Sequence, residues 1–466
     1  MENKISRAYN NFMSETHQIK ESKVAVILGF VRSKNEPLLI NAIKTVKNQT
    51  YKNFDIFIYD NSEVENSLLE TRTLFPEVTI YKNKKNNGFA GGNNTVMREV
   101  LKKPEYKYLV LLNDDTQPCS EWLENLVNAA KKSKAIGAVT SKLLFFEPFV
   151  RIIAKTQTFN PSNLNIGDDI RDLGVKFYVN ESGFENSKYS KKFPRIGFYG
   201  MEGDYSWTKD NLVIDLPIGE NLQVQDYELV LSIEGSEFVK DQTLEVTIGD
   251  YSKTINISKD KSVYKISIPN NVVTNNQFNL IQNAGSGITA QFNGYDIGSM
   301  NGEAEIDKGQ YDKVKEVEMI CGAAVIFKAS VLRKVGILDE YFFVYYEDSD
   351  LSLRIRHKGY KLMYAPKAIV RHMHAGSSTE YSPLFTYHVW KNKPAFVLKN
   401  FGIRPSIYAI FELKKILYRE LRNAARYRFK NGYHNSRLKV ILKSLLTFYM
   451  NIPLIFLKKF NIVKSK

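Results

Sequence analysis

The hydrophobic period of this chain changes twice, and that change limits what it can fold into. Residues 24–30 (VAVILGF) form a continuous apolar run, as expected of a strand buried on both faces. Asn35, Glu36 and Pro37 follow, then Leu39, Ile43 and Val46 at helical spacing, with proline suited to a first helical position. Residues 54–59, 78–81 and 108–112 give three more strands. Alternating strand and helix signals argue a parallel α/β sheet with right-handed crossovers. From about 156 to 310 the helical period disappears. Tyr227, Leu229, Leu231 and Ile233 alternate with polar residues, as do Leu244, Val246 and Ile248, and Tyr264, Ile266 and Ile268. Short alternating runs of this kind predict an antiparallel β-sandwich. The α/β pattern resumes at residues 319–327 (MICGAAVIF), so the β-rich stretch is an insertion. The expected organisation is a polar extension (1–23), a first α/β part (24–155), the inserted sandwich (156–312), a second α/β part (313–383) and a basic helical region (384–466).

Charge follows the same division. The chain of 466 residues carries a net charge of +15, and residues 384–466 hold 18 Lys and Arg against 2 Glu. A nearly neutral body with a basic tail suits an anionic membrane surface. No recognisable basic module supports a nucleic-acid partner. Residues 445–457 are apolar but too short to span a bilayer, and Pro453 interrupts them. They suit a helix lying at an interface, or one packed on the catalytic body. Cys119 and Cys321 cannot form a disulfide framework and are expected as reduced thiols of a cytosolic protein. Residues 1–23 lack an apolar core, so no signal peptide is expected.

Two apolar runs end in clustered acids. Asn113, Asp114 and Asp115 follow residues 108–112, and Glu347, Asp348 and Asp350 follow Tyr345 and Tyr346. Ligands of open α/β sheets bind at the carboxyl ends of strands. Magnesium or manganese is commonly held by one or two carboxylates plus substrate phosphates, and Asp115 is the preferred ligand. The triplet also reads as a solvated turn. Leu351 and Ile355 share a helical face, Gly359 fits the helix end, and Asp350 and Arg354 are spaced to pair. Glu347 and Asp348 therefore start a helix, whose dipole is expected to keep a carboxylate ionised for general-base work. Helix capping without chemistry is the alternative. Residues 86–94 (NNGFAGGNN) are glycine-rich, which lets backbone approach a ligand, or forms a plain turn. His372 and His374 would face one side of an extended segment, as a metal ligand or as surface histidines.

In chain order these motifs resemble glycosyltransferase family 2, in particular its rhamnosyltransferase-like bacterial branch. The resemblance is carried by Asp60-Asn61-Ser62, residues 87–94, Asn113-Asp114-Asp115, Cys321-Gly322, residues 336–342, Glu347-Asp348-Ser349-Asp350-Leu351 with Arg354 and Gly359, then His372 and Gly376-Ser377. Val96 stands where a glycine is frequent, and Lys391-Asn392 where Arg-Asn is usual. The resemblance implies a GT-A fold, Rossmann-like with a mostly parallel sheet. It implies Asp348 as base with Glu347 beside it, and Asp115 and His372 as ligands of Mg2+ or Mn2+. It assigns donor contacts to Ser33, Asn35, Asp60, Asn61, Asn87, Gly88, Gly91, Gly92, Asn93 and Asp114.

The expected activity is inverting transfer of a sugar from a nucleotide-diphosphate donor, dTDP-rhamnose or a UDP-sugar. The expected acceptor is a hydroxyl of a lipid-linked glycan, in bacterial surface polysaccharide synthesis at the inner face of the cell membrane. Residues 384–466 would supply the membrane contact. Tyr205 and Trp207 in the insertion, with Arg354, are candidate acceptor or glycan contacts, though core packing is the default for such aromatics. The alternative is a catalytically silent carbohydrate-binding or scaffolding protein.

Overall fold

The structure is a computed structural model describing residues 21–31, 35–185, 187, 195–219, 226–300, 303–373, 382–426 and 432–459. Ser33, His374, Gly376 and Ser377 lie outside the described residues.

The main sheet runs, in spatial order, Lys315–Glu316, Lys361–His372, Ile136–Phe145, Ala324–Lys328, Tyr106–Leu112, Lys23–Phe30, Phe54–Asp60 and Thr79–Lys82. Its last four strands are parallel, whereas Ala324–Lys328 runs antiparallel between two neighbours. Val24, Val26 and Leu28 enter one core cluster while Ala25 and Ile27 enter another. Helices therefore cover both faces, which is why residues 24–30 carry no polar alternation. Register brings Phe30 level with Asp60, and Asp60 level with Lys82. The carboxyl ends of these strands thus share one edge, the edge where such sheets bind ligands.

The insertion differs from the expected sandwich in architecture and boundary. It is one ten-stranded antiparallel sheet that begins with Phe149–Thr156, ahead of residue 156. Ile152, Leu212, Ile214, Leu229, Leu231, Val246 and Ile266, from five strands, fill one common core. A sheet whose inward residues all meet has curled round itself into a half-barrel. Alternation shows that one face of each strand is buried. It does not show whether the covering layer is a second sheet or the same sheet bent by its twist. The chain returns earlier than expected too. Ile281–Asn283 pairs with the main-sheet strand Ile136–Phe145. A small four-stranded sheet follows, Ser286–Ile288, Gly294–Asp296, Ser299–Met300 and Glu303–Ala304.

The basic region forms helices Pro383–Phe401, Ile403–Arg426, Gly432–Met450 and Ile452–Lys459. Phe396, Val397 and Leu398 share a core cluster with Met319, Phe342 and Leu353, so the first helix is part of the catalytic body. Among the described residues no single helix is long and apolar enough to cross a membrane. Arg437–Met450 and Ile452–Lys459, bent by 51°, qualify only as a pair.

Buried ion pairs fasten these helices to the α/β unit. Lys399 donates to Asp339 at 2.8 Å and to Asp350 at 2.9 Å, and Lys458 also pairs with Asp339. Arg354 donates from Nε to Asp350 at 2.8 Å, and from its other nitrogens to the Val335 and Ile337 carbonyls at 2.8 and 2.7 Å. Arg354 was a candidate acceptor contact. Here its whole guanidinium fork is engaged in holding the acidic helix. Burial would raise both carboxyls, but Lys399 with Arg354 holds Asp350 below its ordinary value, and Lys399 with Lys458 does the same for Asp339. Lys399→Ala would take one of two cationic partners from each buried carboxylate, leaving Arg354 on Asp350 and Lys458 on Asp339. It should lower unfolding free energy by about 3–5 kcal/mol in urea titrations at pH 7.

Candidate active site

The two acidic motifs, far apart in sequence, meet across one dipeptide. The Asn113 N–H donates to the Ala323 carbonyl at 2.9 Å, and the Gly322 N–H donates to Asp348 Oδ2 at 3.0 Å. The antiparallel pairing of Ala324 with Leu112 sets this up, because it carries residues 321–323 past the end of the first acidic strand. A Cβ on Gly322 would stand 3.4 Å from Asp348 and from the Phe89 ring. Tyr59 is fully buried beside both motifs. Burial first, then Asp114 and Glu347, push its hydroxyl far above the ordinary phenol range.

Asp115 and His372 face each other. Thr116–Pro118 pairs with the end of Lys361–His372 so that Thr116 is level with His372, and the Met373 N–H donates to the Asp115 carbonyl at 3.1 Å. His372 Nε2 lies 3.2 Å from Asp115 Oδ1 and 3.2 Å from Asn113 Nδ2. Nδ1 lies 2.6 Å from Gln282 Oε1. An amide oxygen at Nδ1 assigns the proton there and turns the Nε2 lone pair toward Asp115, the outer-shell arrangement of metal-binding histidines. Among the described residues no cluster of three or more His, Cys, Asp or Glu forms a complete cage. A carboxylate and an imidazole this close fit a divalent ion whose remaining oxygens come from phosphates and water. Asp114 is raised by burial and by Asp115, and Asn35 donates a hydrogen bond that opposes this.

The second acidic motif is delivered by a strained loop. Phe343, Tyr345 and Tyr346 have φ of 65°, 67° and 74°, left-handed values that non-glycine residues adopt only when held. The hold comes from helix Pro383–Phe401. Asn392 Nδ2 donates to the carbonyls of Phe342, Val344 and Tyr345 at 2.8–2.9 Å, and Lys391 donates to the Tyr341 carbonyl at 2.8 Å. Glu347 and Asp348 then open helix Glu347–His357. The dipole was expected to dominate their charge, but burial does. Burial raises Asp348, against hydrogen bonds from the Gly322 and Ser349 N–H groups, and Asp296 raises it further. Burial and Asp348 lift Glu347 well above the carboxylate range, and its Oε2 has no hydrogen-bond partner. Burial thus biases Glu347 toward its neutral form, while Asp348 keeps two N–H groups that favour its anion and is the better candidate base.

The glycine-rich segment also differs from expectation. It is the start of helix Gly88–Lys102 rather than an open loop, and its glycines meet protein. Gly88 has φ 70°, and a Cβ there would lie 2.5 Å from the Phe343 carbonyl. The Tyr59 ring fills the space left by Gly29 and Gly92, where a Cβ would come within 2.2 and 2.3 Å of it. A Cβ on Gly91 would lie 2.7 Å from that of Asn87, the residue preceding the helix.

Other expected donor contacts are engaged internally. Asp60 is fully buried, accepting from Ser62, Ser67 and Lys82. Asn61 donates to the Gly88 carbonyl at 2.9 Å, and Asn93 donates to the Phe89 carbonyl at 2.9 Å. Tyr205 and Trp207 lie on strand Tyr205–Pro217 of the insertion, half-buried, with Lys176 over both rings and Phe159 against Trp207. Sequence reasoning did not single out Tyr59, Gln282 or Asp296. A lone Tyr at a strand end and polar residues inside an insertion carry no motif.

This arrangement sits at the ligand-binding edge of a GT-A fold. Residues 30–184 match the profile of the family described as Glycosyl transferase family 2. No curated protein matches the chain by sequence. Among solved structures, it is similar to GalNAc-T7 with UDP, GalNAc and Mn2+, with TM-score 0.40, 11% identity, and 81% of this chain covered. It spans 50% of that chain's length. It is also similar to the mannosyltransferase PcManGT from Pyrobaculum calidifontis in complex with GDP-Man and Mn2+, with TM-score 0.38, 10% identity, and 92% and 87% of the two chains covered.

The raised Glu347 has a consequence for stability. Folding takes up its proton, so this contribution is complete below the unfolded value of 4.5 and is lost as pH rises toward the folded one. Glu347→Gln removes that dependence. The stability of the variant relative to wild type, from urea midpoints, should climb between pH 4.5 and 8. A constant difference would contradict the assignment.

Proposed function

We propose that this chain is an inverting glycosyltransferase using dTDP-rhamnose or a UDP-sugar, with a hydroxyl of a lipid-linked glycan as acceptor. The observation that carries this is the meeting of both acidic motifs on residues 322–323. Asp348 takes the proton of the acceptor hydroxyl, whose oxygen attacks the anomeric carbon in line as the nucleoside diphosphate leaves. The Gly322 and Ser349 N–H groups fix the base, and the burial that raises Glu347 opposes a second negative charge beside the incoming oxygen. A divalent ion held by Asp115 and His372 would neutralise charge on the departing diphosphate.

The proposed setting is bacterial surface polysaccharide synthesis at the cytoplasmic membrane face. Supporting it, helix Ile403–Arg426 exposes Ile403, Ile407, Phe411, Tyr418 and Leu421, with Arg404, Lys415 and Arg422 alongside. An apolar stripe bordered by cations suits an anionic lipid surface.

Asp348→Asn tests the mechanism. Sugar transfer should fall by about 10²–10⁴-fold, the usual weight of a general base, with nucleotide affinity unchanged. Full turnover by the variant would remove Asp348 from that role.

A further inference from the structure

Helix Pro383–Phe401 buries three lysines, and they are not treated alike. Lys399 has two carboxylate partners. Lys391 rests on the Tyr341 carbonyl and on the Tyr341 and Tyr387 rings. Lys393 is 6% exposed, and its hydrogen bond goes to the neutral Asn293 Oδ1 at 2.5 Å. The carboxylate whose charge reaches it, Glu412, is itself paired with Lys415 at 2.8 Å. A buried cation without its own counter-ion is costly, and an anion bound beside it would offset that cost.

Lys393 lines a cavity of about 240 Å³. Arg419 and Arg437 line it as well, with Tyr346, Phe385 and Trp390, and among the described residues no acidic side chain does. Arg437 Nε lies 3.8 Å from Glu420, which offsets one of the three charges. The lining therefore keeps excess positive charge beside aromatic walls. Three structural units meet here: the C-terminal helices, Asn293 from the turn of the small sheet, and Tyr346 from the strained loop. Tyr346 is two residues before Asp348, so their Cα atoms are at most about 7.6 Å apart by chain geometry. One wall of the cavity is therefore close in the chain to the proposed base. Helix Ile403–Arg426 supplies Leu413, Ile416 and Arg419 to the cavity and carries the exposed apolar stripe on another face.

We propose that this cavity binds the diphosphate of the acceptor, with Lys393, Arg419 and Arg437 neutralising it and Phe385 and Trp390 packing on the group attached. The assignment rests on the transferase reading and names its acceptor class: a sugar borne on a diphosphate. The diphosphate is either the head of a lipid carrier or read on its own, and two probes separate these.

The test is calorimetric titration of farnesyl diphosphate and of inorganic pyrophosphate into full-length Asp115→Ala protein, in which diphosphate binding at the donor site is disabled. Farnesyl diphosphate should bind, and Lys393→Met and Arg419→Gln should each weaken it tenfold or more. Arg419 is exposed, so its variant keeps the test decisive should Lys393→Met misfold. A parallel loss for pyrophosphate supports a site that reads the diphosphate itself. Binding of farnesyl diphosphate alone supports a lipid-borne diphosphate. Absent binding by folded protein, or affinity unchanged in both variants, overturns the proposal. Wild-type protein titrated with UDP and dTDP plus Mn2+ keeps the two readings apart. Failure there, with Lys393-dependent farnesyl diphosphate binding intact, supports a diphosphate site in the cavity while removing the transferase reading and, with it, the acceptor role.

Discussion

The catalytic geometry depends on a buried cluster of charges. Lys399 lies between Asp339 and Asp350, and Arg354 and Lys458 complete the balance. Alone, either carboxylate would be expensive in a dry interior; together with three cations they form a closed network. Its members come from the segment after helix Ala329–Val335, from the acidic helix and from two C-terminal helices. The network therefore sets where residue 347 begins relative to the rest of the protein. A basic tail that looks like a detachable membrane anchor in composition is, through Lys399, a structural partner of the helix that carries the proposed base.

From this anchor the remaining constraints follow in order. Asn392 and Lys391, about two helical turns before Lys399, grip carbonyls between residues 341 and 345 and hold three left-handed residues in place. That loop presses its Phe343 carbonyl onto the Ala90 N–H, at the start of the glycine-rich helix. The helix, through Gly92, leaves room for Tyr59. Tyr59 in turn lies within electrostatic reach of Asp114 and Glu347. A chain of close contacts thus runs from the C-terminal helices to both acidic motifs, and glycines stand where any side chain would break it.

Much of this was legible in the sequence. Residues 24–30 had no alternation because both faces of that strand are covered, and the acids at residue 113 onward and 347 onward did mark strand-edge and helix-start positions. The Asp350–Arg354 spacing gave the right pair but not the right purpose. A single sequence shows that two side chains can meet, not which carbonyls complete the arginine's fork. The glycines were read as space for a ligand because sequence shows a missing Cβ without showing what occupies the gap. The inserted antiparallel β domain was legible as well, though not its form: alternation reports a buried face, whereas curling depends on twist summed over ten strands. Gln282 was invisible, since its value lies in reaching His372 across 90 residues.

The central claim is one cleft in which Asp115 and His372 face a nucleotide diphosphate while Asp348 faces the acceptor. It is tested most directly by calorimetric binding of UDP and dTDP, each with and without Mn2+, to wild type and to Asp115→Ala. The structure predicts that one nucleotide binds wild type in a Mn2+-dependent way and that Asp115→Ala loses this binding while staying folded. Binding that ignores both the ion and the substitution would contradict the account.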